Sequence, residues 1–287
     1  MSHIQNILEK AEREGSVRRM RPMGEMGGVA ALVSHTASPV PPPAFADAAV
    51  VDAAVGNDAG GNNAPASPTR PARMVREARY DPNLVAVLAP GAPAAEQYRA
   101  LRTRVAQANH GAAVDVILVT SPGRGEGKSL TAANLALTMA QDFQTRICVV
   151  DADLRHSKLH SLFGVTDGPG LADVLSGGAT LADTLVGFED QQITLLPAGQ
   201  TPSHPAELLG STAMRRTIET LRSQFDRVII DAPAVGPLAD VGILAPLVDG
   251  VLLVVQAGAT TKPAIQDAIA TIGAGKFLGV VLNGAAA

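Results

Sequence analysis

The residues with the clearest chemical potential read Ser121-Pro122-Gly123-Arg124-Gly125-Glu126-Gly127-Lys128-Ser129, with Leu130 opening an apolar run beyond them. Glycines at this spacing let the backbone curl so that successive N–H groups face phosphate oxygens. A helix starting at Lys128 adds partial positive charge at the same point. Lys128 supplies a mobile ammonium for the β- and γ-phosphates, and Ser129 a hydroxyl for magnesium. Pro122 stands where the G-x4-G-K-[ST] pattern usually begins with glycine. A glycine-rich turn that binds nothing is the competing reading, and the Gly-Lys-Ser triplet between a strand and a helix argues against it. Gly123, Arg124, Gly125, Glu126, Gly127, Lys128, Ser129 and Leu130 are therefore the predicted phosphate-binding residues.

Two more stretches carry carboxylates at the ends of apolar runs. Ile147-Cys148-Val149-Val150 leads into Asp151, Asp153 and Arg155 in an Asp-x-Asp-x-Arg pattern, and Val228-Ile229-Ile230 leads into Asp231. A lone strand-end Asp is more often a helix cap than a ligand. Two such strands flanking a phosphate loop reverse that preference, because ligands of open α/β sheets bind beyond the carboxyl ends of strands. Magnesium takes oxygen ligands and keeps several waters, so a hydroxyl and one or two carboxylates suffice. Arg155 has two readings, a phosphate contact or an ion pair with a nearby carboxylate. His156, His160 and His204 lack metal-ligand spacing and are read as surface or core residues.

Regular elements must bring these groups together. The patterning predicts a helix over Ala94–Gln107, a strand over Val114–Thr120 and a helix over Lys128–Gln141. A strand over Ile147–Val150, short helices around Ser157–Phe163 and Leu171–Leu175, and a strand over Ile193–Leu196 follow. Then come a helix over Thr212–Ser223, a strand over Arg227–Ile230 and a helix near Leu238–Leu247. A strand over Val251–Val255, a helix over Pro263–Ile272 and a strand over Leu278–Leu282 complete the alternation. Near-continuous apolar strands alternating with helices indicate an α/β fold, a mostly parallel, doubly wound sheet covered on both faces.

Upstream, Ile4, Ile7, Leu8 and Ala11 fall at i, i+3, i+4 and i+7, and Arg18, Arg19 and Arg21 follow. Residues 1–25 thus read as a short amphipathic helix and basic segment. Residues 26–90 read as a largely disordered linker rich in Ala, Pro and Gly, and residues 91–287 as the folded domain. The 287 residues carry 46 % hydrophobic side chains, enough for a substantial core, and a net charge of −4. That balance advertises no nucleic-acid partner. Cys148, the single cysteine, excludes an intrachain disulfide framework. No export signal or membrane span is visible, so the expected place is the cytoplasm, with membrane contact only through a partner or a surface helix.

The motifs together resemble the bacterial tyrosine kinases of capsule and exopolysaccharide synthesis, within the P-loop group that includes the partition and septum-site ATPases. Gly123–Ser129 matches the family's Walker A motif, Val149–Arg155 its second Walker A-like motif, and Val228–Asp231 its Walker B. Partition-type ATPases carry a signature lysine where this sequence has Gly123, which favours the kinase branch. Glu96, Arg99 and Arg102 match the family's E-x2-R-x2-R helix, which implies a ring-forming contact between copies; an exposed face of i,i+3 charge pairs is the plainer reading. Leu196-Pro197-Ala198-Gly199 and the stretch Pro202–Leu209 match a family loop that usually has Asn where His204 stands.

The resemblance implies ATP and Mg2+ as cofactors and phosphoryl transfer to tyrosine. It makes Asp151 the acceptor of the tyrosine proton, with Lys128 and Asp153 as its catalytic companions. Ser129, Asp153 and Asp231 become metal ligands, and Asn283 a reader of the adenine edge. The implied partners are a membrane polysaccharide co-polymerase at the inner face of the plasma membrane and a tyrosine-bearing protein substrate in trans. The family's tyrosine-rich tail has no counterpart in Val281–Ala287, and Tyr80 and Tyr98 are the two tyrosines. Little phosphate on the protein itself is then expected, with Tyr80 the more reachable acceptor. The alternative is an ATP-switched assembly protein of the export complex without kinase activity.

Overall fold

The computed structural model describes residues 71–108, 114–142, 145–236, 240–273 and 275–284. The amphipathic segment expected over 1–25 and most of the linker lie outside the described residues. In chain order the elements are β1 (Arg73–Val75), α1 (Val85–Leu88), α2 (Pro93–Gln107), β2 (Val116–Thr120), α3 (Lys128–Ala140) and β3 (Ile147–Asp151). Three short helices follow: α4 (Leu159–Leu162), α5 (Leu171–Leu175) and α6 (Leu181–Thr184). Then come β4 (Val186–Phe188), β5 (Ile193–Leu196), α7 (Pro205–Leu209), α8 (Thr212–Gln224) and β6 (Arg227–Asp231). The chain ends with α9 (Asp240–Leu244), a 3-10 turn over Ala245–Leu247, β7 (Gly250–Gln256), α10 (Lys262–Ile272) and β8 (Phe277–Asn283).

The strands form one sheet in the order β1-β4-β5-β3-β6-β2-β7-β8. Every neighbouring pair is parallel except β4 and β5. Alternate residues of the central strands serve opposite faces, as strand geometry requires. Val116, Leu118, Cys148 and Val150 join the core that includes Met214, Ile218 and Leu221 of α8 and Ile265 and Ala268 of α10. Ile117, Val119, Ile147 and Val149 pack with Ala132, Leu135, Ala136 and Met139 of α3 on the other side. Both faces are covered, which is why the strands are apolar throughout.

Register then decides what meets at the carboxyl ends. In the β3–β6 pairing Asp151 lies opposite Asp231, and in the β2–β6 pairing Val119 does. The loop that leaves β2 at Thr120 therefore starts beside Asp231, with Asp151 one strand further on.

One boundary moves. Residues 71–90, assigned to the linker by composition, belong to the folded domain. β1 pairs with β4, and the Tyr80 ring sits 6.1 Å from both the Phe163 and the Phe188 rings. The Asn134 side chain of α3 accepts from the Ala86 N–H at 3.0 Å and donates to the Asn83 carbonyl at 3.1 Å. Leu84 is fully buried. A three-residue strand and a four-residue helix are too short to show a period, so packing alone identifies them.

Candidate nucleotide and phosphoryl-transfer site

The loop between β2 and α3 turns twice through left-handed backbone, at Gly125 (φ 81°) and Gly127 (φ 92°). Any side chain is strained there. At Gly127 a Cβ would also collide with Asn283 Nδ2. The helix that follows is buried along almost its whole length, which fixes its first residues, Lys128 and Ser129, under the loop.

Lys128 Nζ lies 2.7 Å from Asp153 Oδ2 and 3.5 Å from Asp231 Oδ1, and it donates to Ser129 Oγ at 3.2 Å. All four side chains are buried. Burial alone would lower the Lys128 ammonium, but Asp231, Asp153 and Asp151 outweigh it and raise it above its ordinary 10.5. For Asp231 the balance is reversed: burial pushes the carboxyl up to about 7 against the pull of Lys128. Its Oδ2 is buried without a hydrogen-bond partner among the described residues. One ammonium is thus shared by three buried carboxylates, a local surplus of negative charge.

Asp151 is enclosed differently. Oδ1 accepts from the Asp153 N–H at 3.2 Å, and Oδ2 accepts from the Lys158 and Leu159 N–H groups at 3.0 and 2.9 Å. Burial raises this carboxyl to about 6, with those last two amides and Lys128 opposing. Asp153 Oδ1 accepts from the His156 N–H at 3.0 Å, leaving Oδ2 for Lys128.

The donor set fits a hard divalent cation. Ser129, Asp153 and Asp231 offer one hydroxyl and two carboxylates, and the orphaned Asp231 oxygen is a buried polar atom that a cation would satisfy. Among the described residues no group of three or more His, Cys, Asp or Glu side chains is placed to hold a metal alone. A cation here would complete its shell from water and phosphate oxygens, the habit of magnesium.

The remaining predicted residues divide. Arg124 is exposed on the loop, and Leu130 packs at the edge of the core. Of the two readings of Arg155, the ion pair is realised, for its Nε donates to Asp240 Oδ2 at 3.1 Å. Glu126 is spent within the protein: Oε2 accepts from the Gly123 N–H at 3.1 Å and Oε1 from the Thr260 hydroxyl at 2.5 Å. Asn283 donates from Nδ2 to the Glu126 carbonyl at 3.0 Å. Asp240 and Thr260 are additions that no feature of the sequence singles out. Each is one polar residue near a turn, outside any motif.

On α2, Glu96 and Arg99 form an ion pair of 2.6 Å, and Arg99 also donates to the Pro90 carbonyl. Arg102 is not a free member of that face, since it donates to the Thr138 carbonyl at 3.0 Å and to Asp142 at 2.9 Å. Tyr80, expected to be reachable beside the linker, is half-buried, and its hydroxyl donates to Asp190 at 3.0 Å.

A strand, a glycine loop with Gly-Lys-Ser, and two strand-end aspartates facing the lysine define a P-loop nucleotide-binding protein. No family model matches the chain. The tyrosine-protein kinase YwqD of Bacillus subtilis is 34 % identical over 215 residues, covering 74 % of this chain and 90 % of that protein. The tyrosine-protein kinase CpsD of Streptococcus agalactiae is 35 % identical over 192 residues, 66 % of this chain and 82 % of that one. The kinase domain of the Escherichia coli tyrosine kinase ETK superposes with a TM-score of 0.69 at 28 % identity, over 74 % of this chain and 84 % of that domain. The chain belongs to the bacterial tyrosine kinases of capsule and exopolysaccharide synthesis, a branch of the P-loop ATPases.

Proposed function

We propose that the chain transfers the γ-phosphoryl group of magnesium-bound ATP to a tyrosine hydroxyl of a protein partner. Its setting is a polysaccharide polymerisation and export complex, where a membrane co-polymerase recruits it. The observation that carries this reading is the Lys128 ammonium held among Asp153, Asp231 and Asp151 at the mouth of the loop. Phosphoryl transfer depends on positioning and charge stabilisation, and this arrangement offers both. The loop N–H groups and Lys128 would hold the phosphates, while Ser129, Asp153 and Asp231 would hold magnesium, whose charge would offset that of the phosphates. Asn283 lies close enough to Gly127 to border the nucleotide.

Asp151 is the proposed proton acceptor. A carboxyl raised to about 6 is a base whose strength suits neutral pH. Two amides fill Oδ2 and one occupies Oδ1, so the acceptor site left for the incoming hydroxyl is the second lone pair of Oδ1. The same enclosure favours the second reading, a nucleotide-switched assembly protein in which Asp151 only shapes the loop.

The test is purified protein with magnesium, labelled ATP and a tyrosine-bearing partner peptide. Wild type should form phosphotyrosine at a rate that climbs as pH rises through about 6, where Asp151 loses its proton. Asp151→Asn should bind nucleotide within a few-fold of wild type yet form no phosphotyrosine. ATP hydrolysis by wild type without phosphotyrosine would leave the switch reading in its place.

A further inference from the structure

The phosphate loop is held from behind by a residue outside the site. Thr260, in the turn between β7 and α10, is 7 % exposed. Its hydroxyl donates to Glu126 Oε1 at 2.5 Å and accepts the Gln256 N–H at 3.0 Å. The second Glu126 oxygen accepts the Gly123 N–H at 3.1 Å. One carboxylate therefore closes residues 123–126 on themselves and ties them to the end of β7. Asn283 adds a strut from β8 to the Glu126 carbonyl, and its own carbonyl accepts the Ala257 N–H at 2.8 Å.

The energetics of a buried carboxylate make this tie consequential. Glu126 is 7 % exposed, and a charge so enclosed needs donors for both oxygens. Gly123 supplies one and Thr260 the other. Without the Thr260 hydroxyl, Oε1 is buried unpaired, so the side chain must turn toward water. That movement frees the Gly123 N–H and relaxes the curl of the loop. A loop that must be re-formed by its ligand binds more weakly than one already shaped, because ordering is charged against affinity.

We propose that Thr260 is a positioning residue for the phosphate loop, acting through Glu126 to fix residues 123–127 before nucleotide arrives. The consequence for affinity rests on the nucleotide-binding reading above; the brace itself does not. An ordinary turn threonine, bonded only for the sake of Gln256, would leave the loop untouched when its hydroxyl is removed.

Two readouts on the full chain separate these cases. The first is hydrogen exchange of residues 121–130 without nucleotide, in wild type, Thr260→Val, Thr260→Ser and Glu126→Gln. The second is titration of the same proteins with a fluorescent ATP analogue and magnesium. Thr260→Val should exchange faster across the loop and bind the analogue about tenfold more weakly, the cost of one charge-assisted hydrogen bond. Thr260→Ser, which keeps the hydroxyl, should match wild type in both. Glu126→Gln should loosen the loop in the same way, and adding Thr260→Val to it should weaken binding little further. Wild-type exchange in Thr260→Val, or failure of serine to restore it, overturns the brace. Faster exchange with unchanged affinity overturns its role in binding. If wild type binds no analogue while Thr260→Val still loosens the loop, the nucleotide reading has failed and the brace stands. The Glu126→Gln exchange result decides the matter should Thr260→Val fail to fold.

Discussion

At the amino ends of β2, β6 and β7, Arg222 grips Asp249 through two bonds of 2.7 and 2.9 Å, and Arg227 meets Asp115 at 2.7 Å. At the carboxyl ends of β2, β3 and β6, Lys128 faces Asp153, Asp231 and Asp151. Both ends set basic side chains against aspartates, but two arginines meet two aspartates at one and a single lysine meets three at the other. Asp249 Oδ2 also accepts the Asp115 and Val116 N–H groups at 3.0 and 2.8 Å, so that carboxylate is fully satisfied. Burial would raise it, but Arg222 and these amides hold it below its ordinary 3.8. Asp231 is driven the other way, to about 7, with one oxygen orphaned. One end staples the sheet. The other stores an unmet demand for positive charge, which a metal and its nucleotide would supply.

Breaking each end should therefore have opposite signatures. Lys128→Met should weaken nucleotide affinity ten- to hundredfold, because it removes the ammonium from the loop. Arg222→Met at the other end should leave that affinity within twofold and lower the thermal midpoint instead. Titration of a fluorescent ATP analogue alongside thermal melting distinguishes them. Equal loss of affinity in both would dissolve the contrast.

The paired aspartates sharpen it with smaller effects. Asp249→Asn breaks a partly buried network and should cost about 2–3 kcal/mol, a fall of roughly 4–12 °C at neutral pH. The wild-type contribution of Asp249 is present above pH 3.8 and fades as pH falls through its lower folded value. Asp231 has the reverse sign. Its folded state holds a proton that the unfolded state releases near 3.8, so stability declines as pH rises from there towards 7. Asp231→Asn should therefore stabilise the nucleotide-free protein above pH 7, by about 2–4 °C if the gain is ~1 kcal/mol. Melting curves from pH 4 to 8 should flatten in Asp231→Asn and stay steep in wild type. A destabilised Asp231→Asn at pH 8 would contradict the asymmetry.

Much of this was legible in the sequence because it was repeated. The strands at Val116–Thr120, Ile147–Asp151 and Arg227–Asp231 are mostly apolar and each leads directly into a motif, and the loop motif fixes its own neighbours. What escaped was short or singular. β1, α1, α6, β4 and α7 span three to five residues each, with no motif on their own residues that marks them as strand or helix. Tyr80 looked free because its partners Phe163, Phe188 and Asp190 are more than eighty residues away in the chain. Arg102 resembled a surface charge until α2 met α3 and turned it toward Asp142. Thr260 and Asp240 needed the fold to acquire their partners Glu126 and Arg155.

Burial favours a proton on Asp231 at the carboxyl end, and an arriving cation would displace it. Calorimetric titration with a preformed magnesium complex of a non-hydrolysable ATP analogue, at pH 7 in buffers of different ionisation heat, reads this directly. Because burial raises Asp231, wild type should release protons from that group on binding. The release should shrink at pH 8 and in Asp231→Asn. Binding with no proton release at pH 7, or with the same release in Asp231→Asn, would show that Asp231 is not the group that gives up the proton.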